Sequence, residues 1–278
     1  ENKNKQLLLN IKNNYNTENI SMELTNRTAA WREELRKAMK NKERTEITRV
    51  NMNELDGEYR SRNYEEVNQG LNKDQALLEA KRCLDCLNPS CITGCPVNID
   101  IPSFIKNIER GAFLEAAQVL KMTSALPAVC GRVCPQERQC ESQCIHLKMG
   151  KKAVAIGYLE RFAADYERES GSISIPEIAA KNGIKIGVVG SGPAGLSFAG
   201  DMAKKGYDVT VFEALHEIGG VLKYGIPEFR LPNSIVDVEI GNLEKMGVKF
   251  IKDCIVGKTL SFDDLKEQGF KGLFVASG

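Results

Sequence analysis

Eight of the nine cysteines of this chain fall between residues 83 and 144, in two groups of four, and no other feature restricts its folding as strongly. The groups read Cys83-x2-Cys86-x4-Cys91-x3-Cys95-Pro96 and Cys130-x3-Cys134-Pro135-x4-Cys140-x3-Cys144, while Cys254 stands apart. Such a set must be tied by disulfides or bound to metal. Residues Glu1 to Asn10 lack the apolar core of a signal peptide, and no stretch approaches the roughly 18 apolar residues of a membrane helix. The cytoplasm is the expected compartment, where thiols stay reduced. Metal or cluster binding is then the better reading.

The first group resembles the ferredoxin run, in which three close thiolates hold one cluster and the Cys before Pro reaches another. The gap of four between Cys86 and Cys91 departs from that run. Thiolates are soft anionic donors, and a loop lets backbone N–H groups point at the sulfurs. The second group can complete what the first leaves open, so two clusters are implied. Two structural zinc sites would use the same residue type and short spacings. A downstream dinucleotide fingerprint favours clusters, because it supplies electrons that zinc could not use.

That fingerprint is Gly190-Ser191-Gly192-Pro193-Ala194-Gly195. It lies between an expected strand, Ile184 to Val189, and an expected helix, Pro193 to Lys204, with a second strand over Asp208 to Phe212 ending at Glu213. Gly190 permits the tight turn, Gly192 lets a pyrophosphate approach the helix N-terminus, and Gly195 lets helix and strand pack closely. Glu213 can accept ribose hydroxyls. Further on, Asn233 to Met246 reads as helix and Val248 to Ile251 and Gly272 to Ala276 as strands. The sheet is expected to be incomplete at Gly278.

Before residue 170 the chain reads as helix and loop. Trp31, Leu35 and Met39 predict a helix over Thr28 to Lys42 with Trp31 as its buried anchor. Asn72 and Gln75 stand in capping-box spacing ahead of a short helix leading to Cys83. Pro102 suits the first turn of one helix carrying Phe104, Ile105, Ile108, Phe113, Leu114, Ala117 and Leu120. A last helix is expected over Lys152 to Arg168, with Gly171 as its stop. The expected plan is a flexible lead-in over residues 1–25, a helical cluster domain over 26–175, and the first part of an α/β Rossmann-like domain over 182–278. With 38 Lys plus Arg against 37 Asp plus Glu, the net charge of +1 gives no reason to invoke nucleic acid or an anionic membrane as partner. Cys254 reads as a buried small hydrophobe, and His146 and His216 as surface groups.

From about Arg60 onward the chain resembles the small subunit of NADPH-dependent glutamate synthase and its relatives. Those relatives include the large subunit of a bifurcating ferredoxin:NADP transhydrogenase and the N-terminal part of dihydropyrimidine dehydrogenase. The resemblance rests on Cys83 to Pro96, Pro127 to Cys144, Gly157 to Asp165, Gly190 to Glu213, and the segment Gly219-Gly220-x-Leu222-x-Tyr224-Gly225-Ile226-Pro227-x-Phe229-Arg230-Leu231-Pro232. It implies that Cys83, Cys86, Cys91 and Cys144 hold one 4Fe-4S cluster. Cys95, Cys134 and Cys140 would hold three corners of a second, with Glu160 as the remaining ligand and Cys130 left to packing. Gly190, Gly192, Pro193, Ala194, Gly195, Glu213, Gly220, Leu222, Gly225 and Arg230 would bind FAD. NADPH is the implied donor in the intact enzyme, bound by a second Rossmann domain not found in these residues, so the fragment alone is expected to be inactive with NADPH and to hold FAD weakly. The implied partner is a larger catalytic subunit, either the glutamate synthase large subunit or a second flavoprotein. No acid, base or nucleophile is implied. A subunit of a bifurcating transhydrogenase and a non-catalytic, metal-stabilised assembly module are the competing readings.

Overall fold

The structure is a computed structural model describing residues 23–278, so all but the last three residues of the expected lead-in lie outside the described residues. It divides into two compact units. The first takes the described residues up to Asn51 together with Leu71–Thr123 and Pro135–Ser172; the second takes Met52–Gly70, Ser124–Cys134 and Ile173–Gly278. The chain changes unit between Ser172 and Ile173, before the expected end of the cluster domain at residue 175, and two earlier segments depart from the expected linear order. Among the described residues, no helix is long and apolar enough to cross a membrane.

The first unit is built on five helices: α1 (Ala30–Ala38), α2 (Lys73–Lys81), α3 (Ile101–Glu109), α4 (Phe113–Thr123) and α5 (Ile156–Ser170). The capping box ahead of α2 forms as its spacing predicts, with Asn72 Oδ1 accepting from the Gln75 amide and Gln75 Oε1 accepting from the Asn72 amide, both at 2.9 Å. Pro102 occupies the first turn of α3, whose residues Ile101 to Ile108 are all buried. Ile105, Ile108, Leu120 and Leu159 meet in the core, and Phe113 meets Phe162 edge-on at 5.1 Å between ring centroids.

Three expected helices come out differently. The single helix through Pro102 and Leu120 is two, because Gly111 turns the chain with φ +78° between α3 and α4. The helix expected over residues 28–42 ends at Ala38, since Met39 is extended (φ −142°, ψ 123°), and a shorter helix follows over Asn41–Glu46. Trp31 is only half-buried, its ring lying 4.2 Å from the Arg110 guanidinium, and the fully buried residue of α1 is Arg32. The helix expected from Lys152 starts at Ile156 instead. Arg82 takes the carbonyls of Lys152 (2.5 Å) and Ala153 (2.8 Å), which holds that stretch out of a helix. Its end is as expected, with Gly171 left-handed at φ +70°.

The second unit contains a four-stranded parallel sheet: β1 (Lys185–Val189), β2 (Asp208–Phe212), β3 (Lys249–Ile251) and β4 (Phe270–Val275), in the spatial order β3-β2-β1-β4. Helices α6 (Pro193–Lys204) and α7 (Asn233–Lys245) connect or flank these strands. This is the Rossmann order, with a topological switch at the C-terminal end of β1 where β2 and β4 lie on opposite sides. Val188 and Val211 pair across β1 and β2 and are fully buried. A helix over Phe262–Glu267, capped by Ser261 and Asp264, was not anticipated although its capping-box spacing is legible. Residues 124–134 join this unit because Ala128 N–H donates to Glu239 Oε1 at 2.9 Å and Arg132 pairs with Glu66 at 2.8 Å. Residues 52–70 join it in part through the Val67 amide, which donates to Phe229 O at 2.9 Å.

Candidate cluster and dinucleotide sites

Cys83, Cys86, Cys91 and Cys144 line one cavity of about 200 Å³ in the first unit. Cys83 follows the end of α2, Cys91 sits in a single helical turn over Ser90–Thr93, and Cys144 follows a short 3-10 turn over Glu141–Gln143. Ile101, Ile105, Val154 and Ile156 supply apolar wall. Burial raises the Cys83 and Cys91 thiols above their usual range, and for Cys91 the neighbouring Cys83, Cys144 and Cys86 add repulsion. Four thiolates in so dry a place are unfavourable unless something cationic neutralises them, which suits an iron-based group. His146 also lines this cavity and is fully buried, its Nε2 2.9 Å from Arg82 O, which corrects the expectation of a surface histidine. Burial lowers its pKa and favours the neutral ring.

A second set of candidate ligands also gathers in the first unit. Burial pushes the Cys140 thiol up to about 12, with the negative charges of Glu160, Glu141 and Cys95 as further causes. Glu160 is buried on α5 at 5% exposure and is not a solvated helix residue. Close approach here depends on two glycines. A Cβ on Gly94 would come within 2.8 Å of Gln139 O and 3.2 Å of the Cys140 Cα, and one on Gly157 would overlap the Gln136 side chain.

Cys130 and Cys134 fall in the second unit, one helical turn apart on and just after the Pro127–Val133 helix. The Cys130 thiol hydrogen-bonds to Cys134, and this brings Cys134 down to about 7 against the opposing effect of burial. The spare thiol read as packing is a hydrogen-bond partner.

The Cys140 thiol makes a pH prediction for the chain without metal. A thiol raised from 9.0 to about 12 binds its proton more tightly folded than unfolded, so its contribution to stability is complete below pH 9 and lost as pH rises towards 12. The metal-free chain is expected to lose thermal stability above pH 9. The loaded chain, whose ligand thiols are already deprotonated, is expected to lose less. Equal losses in the two forms, measured by thermal melts from pH 8 to pH 11, would count against these thiols as ligands.

In the second unit a cavity of about 650 Å³ opens at the C-terminal end of β1. Gly190, Gly192, Pro193, Ala194 and Glu213 of the fingerprint line it, together with Gly220 from the segment that carries the family resemblance. Gly190 has φ +101°, and a Cβ there would strike Ala276 O; a Cβ on Gly195 would strike Gly190 O. Gly192 caps α6, and a Cβ on it would meet no protein atom within 4 Å. Leu222 is buried beside the site, Gly225 follows the Val221–Tyr224 turn, and Arg230 is exposed; none of these three lines the cavity.

Glu213 is held by donors. Its Oε2 accepts from the Ser191 amide at 2.9 Å and from the Ser191 hydroxyl, and its Oε1 accepts from the Leu215 amide at 2.9 Å. Burial raises its pKa, but these hydrogen bonds outweigh burial and keep it ionised. Ser191 also accepts from the Gly219 amide at 2.9 Å, joining the fingerprint to the downstream glycine pair. Sequence reasoning missed Ser191, which occupies a variable position of the motif. Cys254 is half-buried and lines this cavity, rather than packing in the core. His216 is exposed as expected.

Residues 60–172 match the family model described as dihydropyrimidine dehydrogenase domain II, 4Fe-4S cluster, and residues 188–242 match an NAD(P)-binding Rossmann-like domain. The chain is 40% identical over 193 residues to the NAD-dependent dihydropyrimidine dehydrogenase subunit PreT of Escherichia coli, covering 69% of this chain and 46% of that protein. It is 36% identical over 219 residues to the glutamate synthase (NADPH) small chain of Halomonas elongata, covering 79% and 46%. The glutamate synthase (NADPH) small chain of Escherichia coli is 38% identical over 201 residues, covering 72% and 42%. The chain spans about half the length of the curated relatives it matches.

Proposed function

From a chain similar to the glutamate synthase (NADPH) small chains and to PreT-type subunits, we propose an electron-transfer part of an NADPH-dependent flavin and iron-sulfur oxidoreductase. One observation carries this reading. Cys83, Cys86, Cys91 and Cys144, drawn from both cysteine groups, share a single cavity within residues 60–172, which match a 4Fe-4S family model. These four would hold one 4Fe-4S cluster. Cys95, Cys140 and Glu160 would serve a second, and Cys134 joins that set on the sequence resemblance alone. Gly190, Gly192, Pro193, Ala194, Glu213 and Gly220 would hold FAD, with Gly195 letting α6 pack against β1. When bound, the flavin exchanges electron pairs with a nicotinamide and the clusters carry them singly. This chain's residues bind, orient and tune, and none is assigned as acid, base or nucleophile. The proposed recipient is a larger catalytic subunit. Reduced thiols suit the cytoplasm.

The test is the visible absorption and the iron and zinc content of anaerobically prepared protein. Broad absorption with about eight irons per chain is expected for two 4Fe-4S clusters. Colourless protein holding zinc would sink the reading. In the same preparation Cys134→Ser is expected to lose one cluster and Cys130→Ser to keep both, and equal iron loss would overturn that assignment. Glu160→Ala is expected to change the electron paramagnetic resonance of one reduced cluster only.

A further inference from the structure

Asp85 lies inside the Cys83-x2-Cys86 loop and is held by more positive charge than a loop residue requires. Its φ is +52°, a left-handed conformation uncommon outside glycine. Its carboxylate is buried, with 1% of the side chain exposed. Arg32 reaches it through Nε at 3.0 Å and Nη2 at 2.6 Å, and Arg36 through Nε at 2.9 Å and Nη2 at 2.6 Å. Arg27 Nη1 lies 3.5 Å from Oδ1, while its Nη2 donates to the main-chain oxygens of Asp85 (2.8 Å) and Cys86 (2.7 Å). Lys106 donates to Cys83 O at 2.6 Å.

The arrangement has two consequences. The carbonyls of Cys83, Asp85 and Cys86 are turned to cations, and the Asp85 amide donates to the Cys83 sulfur. One carboxylate also cannot neutralise three guanidinium groups, so these four side chains carry a net charge of +2 (three Arg, one Asp) beside the cavity. A cationic iron-sulfur group bound by four thiolates would leave a net anionic assembly, which would complete the charge balance.

We propose that Arg27, Arg32, Arg36 and Asp85 form a clamp that positions the Cys83–Cys86 loop and raises the reduction potential of the cluster held there. This rests on the cluster reading of the cavity. The four are positioning residues. Excess positive charge favours the form with the added electron, and an N–H aimed at a sulfur acts in the same direction.

The experiment is an anaerobic redox titration of the whole chain followed by electron paramagnetic resonance, with iron content measured alongside. Arg36→Gln and Arg27→Gln alter side chains that are 37% and 32% exposed, so folding is least at risk. Each is expected to shift the reduced-to-oxidised ratio of one cluster about tenfold towards oxidised at a fixed potential, about 59 mV for a one-electron couple. The other cluster should not move, and Arg36→Lys should keep the parent potential. Selective loss of that one signal with helical content intact would also support the clamp. Unchanged midpoints in both glutamine variants with full iron would overturn it, as would an equal shift in Arg36→Lys. A parent chain without iron would instead overturn the cluster reading itself.

Discussion

Cys91→Ser is expected to remove about half of the bound iron, together with the signal of one cluster, while the other cluster stays. Serine is isosteric, but its hydroxyl is a hard donor that does not ionise near neutral pH, so it cannot replace a thiolate on iron. Cys91 is an informative member of the proposed ligand set. Burial and three neighbouring thiols all raise its pKa, so a cation in the cavity would favour its thiolate. The change leaves the apolar wall of Ile101, Ile105, Val154 and Ile156 untouched, so the helices should still pack. Cys254→Ser is the control, because Cys254 lines the dinucleotide cavity in the other unit and should keep all the iron. Iron analysis of the two variants decides: parent-level iron in Cys91→Ser, or equal loss in both, removes Cys91 from the ligand set.

The second large effect concerns two glycines of the fingerprint, which should fail in different ways. Gly190→Val forces a β-branched residue to φ +101° and drives its Cβ into Ala276 O. Strain of this kind costs about 1–3 kcal/mol, and overpacking typically about 1–3 kcal/mol more. A clear fall in the thermal midpoint is expected, together with loss of FAD binding. Gly192→Ala has an ordinary backbone (φ −64°, ψ 179°), and its added carbon meets no protein atom within 4 Å. Its fold should therefore be intact. That carbon would stand where the fingerprint reading brings the pyrophosphate to the start of α6, so FAD affinity is expected to fall about tenfold or more, the equivalent of about 1.4 kcal/mol. Thermal melts and flavin fluorescence titrations separate the two effects. Parent-like FAD binding in Gly192→Ala would show that the phosphates lie elsewhere.

What was legible in the sequence is what a short window can encode. The Asn72–Gln75 capping box, the stop at Gly171, and the limits of α6 and β2 depend on contacts a few residues apart, and each formed as read. The fingerprint was legible for the same reason, since its glycines answer to a turn and a packing distance set within one β-α-β unit. The tertiary structure decided matters that depend on distant partners. Arg32 is buried because Asp85, 53 residues on, meets its guanidinium, and no periodicity in α1 announces that. His146 is buried because Arg82 offers a carbonyl 64 residues away. Residues 124–134 pack with the Rossmann unit because Glu239, 111 residues on, takes the Ala128 amide. Hydrophobic pattern predicts where apolar side chains go; it cannot predict a buried charge, which is tolerable only once folding has delivered its counter-charge.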